Sequence, residues 1–151
     1  MIRRERTIHV VLLLSLLVLL HGCAVNKATA TVDQTTDLSA LKMFHVKKYS
    51  KDTRDTNVLI ENKLTEMGFH ISGTETEVDA IVTYVDKWWW DITMYMLELT
   101  ITLRDPGSDF PLATGHSLHT SLTRKSPEGM VDEVLTNIFF SDEKRGADSD
   151  K

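Results

Sequence analysis

Residues 78–104 read VDAIVTYVDKWWWDITMYMLELTITLR, contain all three tryptophans of the chain, and decide how its sheet is built. From residue 92 onward, side chains alternate at period 2, which is typical of a half-buried strand. The apolar face of this strand comprises Tyr95, Leu97, Leu99, Ile101 and Leu103. Residues 78–85 are mostly β-branched or aromatic and predict a second, more central strand. We expect the two strands to fold against each other, with a turn over residues 86–91.

The predicted turn contains three consecutive tryptophans, Trp88, Trp89 and Trp90. Neighbouring residues of a strand point to opposite faces, so the three indoles cannot all enter one core. In one interpretation, one or two indoles cap the core and the others pack on a neighbouring loop. In the other, they form a contact patch for a partner protein, a glycan or a membrane interface, because tryptophan combines a large apolar area with a polar N–H. The sequence leaves both interpretations open.

The amino-terminal residues 1–22 combine three arginines with an apolar run over residues 10–20. A run of eleven residues is too short to span a bilayer, which takes about 20 residues, and it is typical of a secretory signal. The run leads into residues 20–23, LHGC, which resemble the lipobox of bacterial lipoproteins. This resemblance implies cleavage before Cys23 and lipid modification of that cysteine. The alternative is an ordinary signal sequence followed by an incidental cysteine.

Cys23 is also the only cysteine of the chain, so no intramolecular disulfide is possible. Lipidation would explain both its presence and its position. In bacterial lipoproteins an aspartate directly after the modified cysteine is the common signal for retention at the inner membrane, and this chain has Ala24 instead. The resemblance therefore implies an outer-membrane location on the periplasmic face. With about 0.8 kcal/mol per buried methylene, several acyl chains make an effectively permanent anchor.

The domain organisation predicted from the sequence has four parts. Residues 1–22 are the lipoprotein signal peptide, residues 23–40 are the lipidated cysteine and a flexible tether, residues 41–140 are a periplasmic α+β domain, and residues 141–151 are a charged, disordered tail. The chain has a net charge of −5, and removal of the basic signal peptide makes the remainder more acidic. This charge argues against nucleic acid as a partner.

The order of predicted elements is β-α-β-β-β-α. Residues 43–49 predict a first strand at a sheet edge, and Asp52 or Asp55 and Gly68 mark the two ends of the first helix. Residues 111–123 predict the last strand, and Ser126 precedes the second helix as its N-cap. The fold class is therefore α+β, an antiparallel β-meander with two helices packed on one face.

This order and the LHGC box together resemble the small α/β domains of periplasmic lipoproteins. These include uncharacterised outer-membrane families, auxiliary lipoproteins of ABC-type transporters, and the lipopolysaccharide-assembly lipoprotein. The resemblance covers residues 41–140 in architecture only, and it transfers no functional residue to this chain.

Motifs that carry chemistry are scarce. The sequence has no glycine-rich phosphate loop, nucleophile elbow or Cys/His metal spacing, so we expect no enzyme activity, metal or cofactor. His116 and His119 are three residues apart in a strand and should point to opposite faces. Residues 121–126 are basic and hydroxyl-rich, and they either hold an anion or simply begin a helix. Asp79, Asp86 and Asp91 are too scattered to predict a paired carboxylate site.

Two function classes follow. The first is a membrane-anchored envelope lipoprotein that acts as a non-catalytic interaction, assembly or transport-accessory module, with the membrane contacted through Cys23 and an envelope protein as partner. The alternative is a binding protein for a small envelope ligand, a glycan or a lipid, on the patch formed by Trp88, Trp89 and Trp90.

Overall fold

A computed structural model describes residues 26–148, with side chains described through residue 140. It contains a six-stranded sheet and two α-helices. The strands are β1 (Asn26–Val32), β2 (Met43–Val46), β3 (His70–Ile71), β4 (Ala80–Trp90), β5 (Met94–Arg104) and β6 (Pro111–His119), and the helices are α1 (Thr56–Glu66) and α2 (Pro127–Asp148). Within the described residues, no helix is long and apolar enough to cross a membrane.

The strand order across the sheet is β1-β6-β5-β4-β2-β3. Strands β4, β5 and β6 form an antiparallel meander, and β1 adds to β6 in antiparallel orientation. Strand β2 runs parallel to both β4 and β3. The α+β fold class predicted from the sequence is confirmed, and the sheet is mixed because the crossover through α1 brings its next strands back parallel to β2.

The core lies between one face of the sheet and the two helices. From the sheet, Leu99, Ile101 and Leu103 are fully buried, which confirms the apolar face predicted for this strand from residue 99 onward. Helix α1 contributes Ile60 and Leu64, one turn apart. Helix α2 contributes the stripe Met130, Val131, Val134, Leu135 and Ile138.

Helix α2 packs so closely on β6 that a side chain at Gly115 has no room. A Cβ at this position would lie 2.7 Å from Val134 and 2.9 Å from Ile138. The buried face of β6 is accordingly the small one: Ala113, Gly115, Ser117 and His119. The bulkier alternate residues of β6 are only partly buried on the opposite face.

The helix ends confirm most of the predicted signals. Gly68 adopts φ +91° just after α1, a conformation that glycine reaches without steric cost. The Asp52 carboxylate accepts hydrogen bonds from the backbone N–H of Arg54 at 2.8 Å and of Asn57 at 3.3 Å, while Asp55 makes no side-chain cap bond. Ser126 accepts a hydrogen bond from the N–H of Gly129 at 3.1 Å, as expected for the N-cap of α2.

The tether predicted for residues 23–40 is corrected by the structure. Residues 26–32 form β1, which pairs with β6 along its whole length, from Asn26 opposite His119 to Val32 opposite Ala113. The segment shows no apolar period because it is an exposed edge strand. Its backbone hydrogen bonds, which composition does not reveal, hold it to the sheet.

The turn predicted at residues 86–91 is also corrected. Strand β4 continues through all three tryptophans, and the chain reverses at residues 91–93. The pairing skips Leu97, because Lys87 lies opposite Glu98 and Trp88 lies opposite Met96. This bulge shifts the alternation of β5 by one residue, so that Met96 is buried and Leu97 only partly so.

Three smaller corrections concern element ends. Strand β2 lies between β4 and the short β3 rather than at the sheet edge. Strand β6 ends at His119, and residues 121–123 form a short 3₁₀ helix instead of extending the strand. Helix α2 runs to Asp148, although the charged residues from 141 onward predicted a disordered tail. Charge alone predicted disorder, but Glu, Lys, Arg and Ala also have a high helix propensity.

Candidate functional site

The β4–β5 hairpin ends in an exposed aromatic segment, residues 88–95, which we call the hairpin tip. Trp89 is 59% exposed, Trp90 63% and Ile92 84%. Strand alternation directs Trp88 and Trp90 to the face that carries the helices, and Trp89 to the opposite face. The prediction that the three indoles cannot all enter one core is therefore confirmed, because Trp89 and Trp90 are exposed.

Trp88 is held in place by the body of the domain. Its indole Nε1–H donates a hydrogen bond of 2.7 Å to the Asp86 carboxylate, which also accepts one from the Thr56 hydroxyl at 2.9 Å. The Arg54 guanidinium lies 4.5 Å from the ring centroid, within the range of a cation–π interaction. Trp88 thus fits the interpretation of a core cap, whereas its two neighbours do not.

The turn at the tip is fixed by an ion pair that the sequence did not reveal. Arg124, which follows β6, pairs with the Asp91 carboxylate and donates to the Thr93 hydroxyl at 2.6 Å. The same guanidinium lies 4.4 Å from the centroid of Tyr95. Hydrogen bonds from Ser121, from a backbone N–H and from Arg124 hold the pKa of Asp91 at about 2. The exposed rings are therefore presented by a braced hairpin.

The hairpin tip lies at the end of the sheet where the described chain begins. Asn26 is paired with His119, the last residue of β6, and Leu118 beside it is paired with Glu98 of β5. The hairpin continues beyond Glu98 into the tip. Leu122, which is 75% exposed, follows β6 at this same end.

A second cluster, on the helix side of the sheet, joins β6 to α2. The Glu133 carboxylate accepts hydrogen bonds from Ser117 at 2.5 Å and Lys125 at 2.5 Å, and it lies 2.8 Å from Nε2 of His119. Burial raises the pKa of Glu133, but the bonds from Lys125, Ser117 and His119 outweigh it and hold that pKa at about 2.

This cluster contains serine, histidine and a carboxylate, the residue types of a hydrolase triad, but not the serine–histidine hydrogen bond of a triad. Ser117 bonds to the carboxylate and not to His119, whose other ring nitrogen lies 2.7 Å from the carbonyl oxygen of Thr123. His119 is therefore not placed to activate the serine hydroxyl, as the histidine of a triad would be. His116, on the opposite face as predicted, pairs instead with Glu98 at 3.0 Å.

The other candidate residues are each engaged separately. Asp79 accepts hydrogen bonds from the backbone N–H groups of Lys42 and Met43, at 2.7 and 2.8 Å. It therefore acts as a local brace, apart from Asp86 and Asp91. In the basic segment 121–126, Arg124 and Lys125 already pair with carboxylates, which favours the helix-start interpretation over an anion site.

The sheet face opposite the helices carries a groove of about 620 Å³. Thr83, Thr100 and Thr102 line its floor, and Lys47 and Glu75 pair across its rim at 2.9 Å. Arg104 donates to the Thr83 hydroxyl at 3.2 Å. The groove is wide and polar, without a converging set of reactive groups.

The remaining predictions concern the amino-terminal segment and metal binding. The predicted lipidation site, Cys23, and the predicted signal peptide, residues 1–22, lie outside the described residues. Among the residues that are described, no group of three His, Cys, Asp or Glu side chains is arranged to hold a metal ion.

Comparisons with known proteins show similarity of fold. No protein-family model and no curated protein matches the sequence. The fold is similar to the PelC dodecamer from Paraburkholderia phytofirmans, with a TM-score of 0.55, 12% identity, and coverage of 76% of this chain and 98% of that one. It is also similar to a DUF4136 family protein from Bacteroides thetaiotaomicron, with a TM-score of 0.53, 7% identity, and coverage of 79% and 96%. The chain thus shares its α+β fold, over most of its length, with these two bacterial proteins.

Proposed function

We propose that the protein is a bacterial envelope lipoprotein, lipid-anchored through Cys23 at the periplasmic face of the outer membrane, and that it acts as a non-catalytic accessory module. The observation that carries this proposal is the LHGC box, whose cysteine stands three residues before the first strand of the domain. A domain that starts so soon after the anchor is held against the membrane surface.

The side chains of the domain support a non-catalytic role. Within the described residues, the Glu133 cluster and the Asp91–Arg124 pair connect secondary-structure elements to one another. Catalytic groups are generally left partly free toward a cavity. The hairpin tip is instead an exposed apolar surface that is suited to contact with another molecule. The PelC protein, which is similar in fold, is a dodecamer. We therefore include association between copies of this chain among the proposed accessory roles.

The anchor is tested by metabolic labelling with a fatty-acid analogue. We expect label on the wild-type protein, recovered in the outer-membrane fraction, and none on Cys23→Ala, which should remain unprocessed or become soluble. A Cys23→Ala protein that carries as much label as the wild type would refute the proposal.

A ligand-binding role is the second candidate, and the exposure of Trp89 and Trp90 favours it. A glycan stacked on these rings should shift tryptophan fluorescence on titration. Crosslinking in intact envelopes separates the two roles, because a protein partner is captured whether or not glycan is removed.

A further inference from the structure

The geometry points to a second membrane contact: we propose that the hairpin tip inserts Trp89, Trp90 and Ile92 into the interface of the same bilayer that holds the lipid on Cys23. This inference rests on the proposed anchoring at Cys23. It identifies the lipid surface as what the hairpin tip contacts.

The first argument is direction. Strand β1 starts at Asn26 opposite His119, and the pairing of β6 with β5 continues this edge to Glu98. Both the tip and the chain that leads back to Cys23 therefore leave the sheet at one end. A domain held by its amino terminus presents this end to the bilayer.

The second argument is reach. The chain from Cys23 to Asn26 is three residues long, so it spans at most about 10 Å. Trp90 lies three residues beyond Lys87, the partner of Glu98, which places it about 10 Å past the edge of the neighbouring strands at about 3.3 Å per residue. The turn that contains Ile92 lies beyond Trp90. The tip therefore extends at least as far as the link can hold an upright domain away from the surface.

The third argument is the chemistry of this end of the sheet. The four most exposed large apolar side chains of residues 26–140 are all here: Ile92 at 84%, Leu122 at 75%, Trp90 at 63% and Trp89 at 59%. Tryptophan concentrates at membrane–water interfaces, where the ring is buried and the N–H reaches polar groups. The exposed rings toward the opposite end of the sheet are less exposed, with Phe110 of the β5–β6 turn at 51% and Phe140, beside Lys42, at 46%.

The charged groups near the tip are compatible with this contact. Arg124 pairs with Asp91, and Lys87 pairs with Glu98 at 2.7 Å, so these four charges occur as opposite pairs, while Arg54 is a further charge that lies over Trp88. The chain as a whole is acidic, and anionic lipid would not attract it. We therefore expect insertion into zwitterionic lipid, driven by apolar area.

The test uses the full-length lipidated protein reconstituted into phosphatidylcholine vesicles, with or without bromine atoms near the top of the acyl chains. Bromine quenches indoles that enter the interface. We expect the wild type to lose at least twofold more fluorescence to brominated lipid than the Trp89→Phe/Trp90→Phe variant, which keeps only the braced Trp88. Acrylamide access to the tip should fall at least twofold on reconstitution.

A matched control adds Phe110→Trp to the same double variant. This new indole is exposed at the opposite end of the sheet, so brominated lipid should leave it unquenched. Quenching of the wild type no greater than that of the double variant overturns the inference. Protection from acrylamide without bromine quenching overturns it too, because the tip is then covered by protein.

The outcomes also separate this inference from the anchor. A protein that carries the fatty-acid label but shows no bromine quenching refutes the tip contact and leaves the anchor standing. Absence of label on Cys23 refutes the anchor, on which the tip contact depends. Thermal melting of every variant verifies that differences in quenching do not arise from unfolding.

Discussion

At the scale of single residues, the described domain is held by one apolar core and a few shared carboxylates. Asp86, Asp91 and Glu133 each receive hydrogen bonds from two or more residues. Sequence alternation predicts the inward-facing apolar residues of β5 from Leu99 onward, where the period of the strand is unbroken, but not on the far side of the bulge at Leu97. It does not predict these carboxylate partners, because Arg124 is 33 residues from Asp91 in the chain.

The inward face of β5 gives the first prediction. Leu99 is fully buried, whereas Thr100 lies on the opposite, open face. An unpaired carboxylate in an apolar core costs several kcal/mol, against a total stability of about 5–15 kcal/mol. We expect Leu99→Asp to abolish cooperative melting, and Thr100→Asp to lower the free energy of unfolding by about 1 kcal/mol. If both variants melt with the wild type, the strand assignment is wrong.

The Glu133 cluster predicts a specific acid sensitivity. The folded pKa of about 2 lies below the ordinary value of 4.5, so its stabilising contribution is complete above pH 4.5 and is lost as the pH falls toward 2. We expect Glu133→Gln to be less stable than the wild type at pH 7, by about 1–3 kcal/mol. The difference in urea midpoint should shrink progressively between pH 4.5 and 2.

The matched control for this prediction is Glu128→Gln, an exposed glutamate in the first turn of the same helix. Its urea midpoint should stay close to that of the wild type at every pH. A constant gap between Glu133→Gln and the wild type from pH 7 to pH 2 would contradict the linkage.

At the scale of elements, the β4–β5 hairpin shows what a local pattern can and cannot reveal. The two strands are predicted correctly from β-branched residues and alternation. The turn is misplaced because the bulge at Leu97 lets pairing continue past Lys87. A one-residue insertion into a ladder leaves no composition signal, and the three tryptophans are as suitable for a strand as for a loop.

The hairpin also predicts unequal roles for its indoles. Trp88 contacts the core cluster and bonds to Asp86, so we expect Trp88→Ala to cost about 3 kcal/mol of stability. Trp90 is 63% exposed, and Trp90→Ala should change stability by no more than about 0.5 kcal/mol. Thermal melting of the two variants measures both effects. Equal losses would mean that the whole segment belongs to the core.

At the scale of the whole molecule, strand order is the feature that the sequence predicts least. The core meander follows from consecutive strands joined by short turns. The addition of β1 beyond β6 does not, because it pairs residues about 90 positions apart and depends on backbone groups that every polar segment also carries.

The assignment of residues 26–32 to a strand can be measured directly. We expect hydrogen exchange in this segment to be slower than in a free tether, because alternate amides of this antiparallel edge strand are bonded to β6. Mass spectrometry of a peptide covering residues 26–32 provides the measurement. Exchange as fast as in an unfolded reference peptide would mean that the segment is a flexible tether and not a strand.

The anchor that we propose at Cys23 would also determine how two copies can meet. Strand β1 is a sheet edge, and free edges tend to pair with their own kind. If two β1 strands stood upright and paired antiparallel, their starting residues would be separated by about 20 Å along the membrane normal, the length of seven residues. A link of three residues spans only about 10 Å, so one of the two lipids would be pulled out of the bilayer. The proposed anchor, placed at the start of an edge strand, would thus give that edge a polarity, and it would protect the protein from the antiparallel edge pairing that seeds aggregation.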